Sequence, residues 1–280
     1  MSLAPDVPRA LARSAPATAA AGLRDTLHAE WTKLRTAPGT FWLLFAAVAL
    51  TVTVSAAAAA ATRCPAAGCG QDPARVSLTG VYLGQVAVAI VAVLTISGEY
   101  SSGMIRTTLA AMPRRATVLA AKAALLTGLM LAAGAPAIAG SLLAGRLILP
   151  GHGFTAAHGF APLSLADGPV LRAAAGSVLY LALIALLSLG AATAVRDSAV
   201  AIGIVLGLLY LFPIVAAVVS APHLQRHLQQ IAPMTAGLEI QATTGLHGLP
   251  ISPWAGLGVL AAWAATALLA GGLVLRLRDA

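Results

Sequence analysis

Charge is the scarcest resource in this sequence. Only 9% of its 280 residues are charged, against about 25% in an ordinary soluble domain, while 59% are hydrophobic. Seventeen basic and nine acidic side chains cannot cover the surface of a water-soluble fold of this length. A soluble protein is thereby excluded and a membrane protein indicated. Aromatic residues are also few, at 5%, and alanine and glycine abound. That argues against an outer-membrane barrel, whose strands favour aromatic and β-branched residues, and for helical spans.

Other scarcities narrow the function. The only lysines are Lys33, followed by Leu34, and Lys122, followed by Ala123. A phosphate-binding loop requires a lysine followed by serine or threonine after a glycine-rich turn, so this chain does not bind ATP in that manner. No basic block reaches five residues, so the net charge of +8 is read as topology signal and no nucleic acid is expected. No apolar run carries two carboxylates, which disfavours an intramembrane aspartyl protease. His223 and His227 have the i, i+4 spacing of a shared metal on a helix, but the glutamate of a zinc-protease helix is missing. No metal site and no catalytic residue are expected.

What is present is a series of long charge-free runs. A helix needs about 20 apolar residues to cross the hydrocarbon core, and six runs meet that requirement, at about 40–61, 77–97, 117–145, 172–195, 198–219 and 254–275. The third is long, with Pro136 as a point of tilt or kinking. A seventh run, 147–166, carries Pro150, Gly151, Gly153 and Pro162 and reads as a loop. With both termini in the cytoplasm, twelve basic residues lie inside and five outside, namely Arg63, Arg75, Arg146, Arg172 and Arg226. Cys64 and Cys69 then face outward, where a small-loop disulfide is chemically permitted and two free thiols are the alternative.

Residues 1–22 read as a disordered Ala/Pro tail. In residues 23–36, Leu23, Leu27, Trp31 and Leu34 recur at helical spacing, with Glu30, Lys33 and Arg35 among the polar positions. This predicts an amphipathic helix in the membrane surface, with Trp31 on the apolar edge and Lys33 and Arg35 at headgroup depth. After the second span, residues 98–122 predict a short helix with Ile105, Leu109 and Met112 on one face, suited to docking on a cytoplasmic partner. Arg114 and Arg115 follow at headgroup level. Glu99 is expensive beside apolar helix unless paired, with Arg106 or Arg35 as expected partner. Asp197 is expected to pair with its neighbour Arg196 at the inner surface.

Two stretches make a specific resemblance: EWTKLRT, Glu30 to Thr36, and GEYSSGMIRTTLAAMPRR, Gly98 to Arg115. Together they resemble the permease subunit of ABC-2 type transporters, particularly bacterial drug-export and lantibiotic-export relatives. The resemblance implies an all-α, six-span transmembrane domain over 23–280, with an interfacial connecting helix and a cytoplasmic coupling helix between spans two and three. It further implies that Glu99, Tyr100, Gly103, Met104, Arg106, Thr107, Arg114 and Arg115 lie at or next to a separate ATPase subunit, which would bind ATP and Mg. The family often has Gly-Thr where this chain has Gly103-Met104. It also often has short outer helices between spans five and six, with which the proline-interrupted segment 220–253 is compatible. Because six spans make half of a two-fold pore, a second permease, identical or not, is implied. The Gly203-x-x-x-Gly207 spacing in span five permits close helix approach.

The expectation is therefore a plasma-membrane permease that contacts membrane lipid, needs no cofactor of its own and exports an amphipathic or hydrophobic substrate. The rival is an ATP-independent secondary transporter, which would act without any ATPase and usually carries ionisable residues or broken helices at mid-membrane. Pro136 and Pro213 are the candidate helix breaks.

Overall fold

A computed structural model of the chain describes residues 38–65, 69–101 and 115–278. The tail at 1–22 and the amphipathic segment at 23–36 lie outside them. The described residues form helices and turns with no strand. The helices are α1 (Pro38–Ala61), α2 (Pro73–Ser77), α3 (Val81–Ser101), α4 (Arg115–Ile148), α5 (Gly168–Val195), α6 (Ser198–Val218), α7 (Pro222–Ile231), α8 (Pro233–Leu238) and α9 (Pro253–Arg278). Six of them, α1, α3, α4, α5, α6 and α9, are long and apolar enough to cross a membrane. This is the architecture of a multi-pass membrane protein.

Five of these helices begin on proline. At the first helical position the missing N–H has no intrahelical partner to lose, and the fixed φ is already helical. Of the four prolines in segment 220–253, Pro222, Pro233 and Pro253 thus start α7, α8 and α9, while Pro250 lies in the turn before α9. Pro136 and Pro213 lie inside α4 and α6, and both remain continuous.

α5 is the hub. It packs against α9, α3, α4 and α6, and is the most buried span, whereas α1, α6 and α9 are the most exposed. Its contact with α9 is the most extensive in the molecule and depends on glycine. A Cβ on Gly190 would stand 2.4 Å from the carbonyl carbon of Ala267 and 2.5 Å from the nitrogen of Leu268. Small residues thus permit close helix approach, the usual device where lipid offers no hydrophobic drive for helices to associate. In contrast, Gly203 and Gly207 of α6 are exposed with nothing within 4 Å of a Cβ, so no described helix of this chain packs on them.

The connections α1–α3, α4–α5 and α6–α9 gather at one end. Cys64 and Cys69 are disulfide-bonded there, resolving the alternatives left open by the sequence. The Cys64 amide donates to the His152 carbonyl at 2.9 Å, so the bonded loop lies on the 147–166 connection. That connection consists of two single 3-10 turns, Leu149–His152 and Ala156–His158, and no span, as its glycines and prolines predict. Ala59, Cys64, Leu149 and Phe154 bury one another beneath it as a small second core.

Candidate functional site

Of the residues with the most specific sequence signal, the described ones, Glu99, Tyr100 and Arg115, belong to the end of the bundle opposite the disulfide. Of the predicted coupling set, Gly103, Met104, Arg106, Thr107 and Arg114 lie outside the described residues, as do Glu30, Trp31, Lys33 and Arg35. Glu99 falls in the last turn of α3 and Arg115 opens α4. Tyr100 is described in full. Its ring lies beneath the Arg196 guanidinium, 5.5 Å from charge to ring centroid, within cation–π range.

Arg196 is the tie at this end. It terminates α5 in the left-handed conformation at φ 66°, normally a glycine position, and its guanidinium donates to the Val274 carbonyl of α9 at 3.4 Å. One side chain thereby ties the ends of α3, α5 and α9. Asp197, expected to pair with Arg196, uses Oδ1 to accept from the Val200 amide at 2.8 Å and caps α6. The sequence marks this helix start but not the reach of Arg196 across 78 residues to Val274. Lys122, seven residues into α4, is buried, which is rare for a charge in a spanning helix.

A second polar layer lies nearer the disulfide end. Gln85 of α3 is fully buried. Its Oε1 accepts from the Tyr180 hydroxyl of α5, and its Nε2 donates to the Tyr210 hydroxyl of α6 at 3.0 Å and the Tyr82 carbonyl at 3.2 Å. Met234 Sδ of α8 lies 3.2 Å from the same nitrogen. Four elements are thus locked through one neutral amide with both ends satisfied, the arrangement in which buried polar groups hold structure together at little cost. No local spacing in the sequence points to Gln85, because its partners lie 95 and 125 residues away.

A third layer caps the disulfide end. Asp72 caps α2 through the Ala74 amide at 3.0 Å and also accepts from Thr243, by its hydroxyl at 2.7 Å, and from the Thr244 amide at 3.1 Å. Arg75 and Glu239 form an ion pair at 2.5 Å, the arginine partly exposed and the glutamate largely covered. Arg172 donates to the Ala242 carbonyl, and Gln241 to Ser177 at 3.1 Å. The segment after α8 is thus fastened to α2 and α5.

Burial raises the Glu239 carboxyl above its ordinary value, and the charge and hydrogen bond of Arg75 only partly oppose this. A raised pKa means the folded state holds this proton more tightly than the unfolded chain. The resulting stability is fully present below the unfolded value and is lost as pH rises through the folded one. Glu239→Gln, which cannot ionise, is therefore expected to gain in melting temperature relative to the native chain as pH rises from about 4 to about 7. Melting curves in detergent across that range check this; a difference that shrinks with rising pH has the wrong sign.

All five acids among the described residues, Asp72, Glu99, Asp167, Asp197 and Glu239, sit at helix ends or in connections. Described residues contain no cluster of three potential metal ligands. His223 and His227 lie ring to ring at 5.9 Å on exposed α7. No family model and no curated protein matches the chain.

Proposed function

We propose that this chain is the membrane-spanning subunit of an ATP-driven exporter of the ABC-2 type. It sits in the cell membrane with both termini in the cytoplasm and works as one half of a two-fold permease with a separate ATPase. The observation that carries this reading is positional. α1 starts, α3 ends and α4 starts at one end of the bundle, and in the sequence the two stretches behind the resemblance, Glu30 to Thr36 and Gly98 to Arg115, precede α1 and join α3 to α4. Further support comes from the short helices α7 and α8 between the fifth and sixth spans, the place where the family often has them. The open face of α6 around Gly203 and Gly207 is available to a second permease copy.

The distribution of charge favours ATP over an ion gradient. An ion-coupled carrier usually has titratable groups near mid-membrane, whereas the described acids are all terminal and buried Lys122 lies two turns from the start of α4. The embedded polar layer at Gln85 is neutral and already satisfied. The chain has no lysine followed by serine or threonine, which fits a division of labour in which the partner holds ATP and Mg. Mechanically, closure of the ATPase pushes on the loop after α3. Tyr100 and Arg196 then pass the movement to α9 and to α5, on which α3, α4 and α6 also pack.

The test is energetic. In inverted membrane vesicles, uptake of a fluorescent lipid-like amphiphile is expected to require ATP and the partner ATPase, and to survive collapse of the proton and sodium gradients. Uptake by the purified chain alone, driven by an ion gradient, would establish the secondary transporter instead.

A further inference from the structure

α4 and α9 both pack on α5 but touch each other only sparingly, and a groove of about 520 Å³ opens between them at the Tyr100 end. Leu119, Ala120 and Ala123 of α4 form one wall, Leu269 and Gly272 of α9 the other, and exposed Arg276 stands at the rim. The volume falls within the range of about 300–1,000 Å³ typical of ligand sites. From Leu268 to Arg276 the groove runs roughly 12 Å at 1.5 Å per residue, most of the ~15 Å depth of one leaflet. Gly272 keeps it open. A Cβ there would meet only the tip of Leu119, at 3.5 Å.

We propose that this groove binds one acyl chain of an anionic phospholipid, with the lipid phosphate at Arg276. An apolar slot of leaflet depth ending at a guanidinium matches the two halves of such a lipid. Charge selects the headgroup. At this end of the described helices the sequence places Arg115, Arg196, Arg276 and Arg278 against Glu99 and Asp197, Lys122 being buried. The same excess repels a second copy of the chain at this face. The site lies against α9, whose end Arg196 ties to α5 and α3, so lipid occupancy bears on the same helices as the proposed coupling. The inference rests on membrane insertion and not on the ATPase.

Native mass spectrometry of the full chain in mild detergent, with phosphatidylglycerol or phosphatidylcholine of equal chain length, tests it. Wild-type protein is expected to retain one phosphatidylglycerol in preference to phosphatidylcholine. Arg276→Gln should reduce that retention about five-fold, the effect of one basic side chain at an anionic surface, and Gly272→Leu should abolish it by filling the groove. Equal retention of the two lipids by the wild type, or retention unchanged in both variants, overturns the assignment. So does a lipid-free two-chain species that Gly272→Leu dissociates, which would put a second copy in the groove. A chain that fails to insert into bilayers contradicts the membrane reading itself, whereas an inserted chain without lipid preference contradicts only this site.

Discussion

Glu99→Gln and Arg106→Ala are each expected to lower transport roughly five- to 150-fold, the span of typical coupling free energies, while the partner ATPase continues to hydrolyse ATP. Glu99 precedes Tyr100, the described residue through which the end of α3 meets Arg196 and, beyond it, α9. A loop that transmits a push must be rigidly joined to what it moves. Weakening that joint separates hydrolysis from movement without disturbing the six-helix packing. Parallel assays of phosphate release and vesicle uptake, with membrane insertion as control, measure the separation. Unchanged transport in both variants removes these residues from the mechanism, and equal loss of hydrolysis and transport points to failed assembly rather than uncoupling.

Gly190→Leu should be among the most damaging single substitutions in the described spans. Its Cβ would meet the backbone of Ala267 and Leu268 inside normal contact distance, and backbone cannot rotate aside as a side chain can. Overpacking of this kind costs about 1–3 kcal/mol, occasionally more, and it falls on the α5–α9 contact that organises the bundle. Lower yield and a clearly reduced melting temperature in detergent are expected. Gly203→Leu is the matched control, since its Cβ meets nothing within 4 Å. It should leave the melting temperature of the isolated chain unchanged while weakening association of two copies. Equal sensitivity at both positions would mean that steric closeness does not govern this fold.

The spans were legible because the hydrocarbon core imposes a length, and a charge-free run of that length is visible without any knowledge of packing. Their ends were legible only to a few residues. Hydropathy stops at a charge, whereas a helix backbone does not. α4 continues past Arg146 to Ile148, and α5 starts at Gly168, ahead of Arg172, whose guanidinium reaches the Ala242 carbonyl. α3 starts at Val81 rather than 77 because Asp72 and Pro73 make a separate short helix that ends at Ser77.

Long-range polar contacts were not legible. Asp72 finds Thr243 across 171 residues, and Gln85 finds Tyr180 across 95. Nothing in the neighbourhood of either residue distinguishes it from a solvated loop acid or an incidental amide. Arg196 shows the same limit. Adjacency favoured Asp197, but the acid caps the helix that follows it and the arginine reaches a carbonyl of α9.

The most direct measurement is mild-detergent affinity purification of the tagged chain from its native cell, with quantification of everything retained in stoichiometric amount. A separate ATPase carrying a phosphate-binding loop should co-purify with the wild type and be lost when Glu99 and Arg106 are both replaced. Its reproducible absence from an intact, folded wild-type preparation would contradict the ATP-driven reading and leave an autonomous carrier in its place.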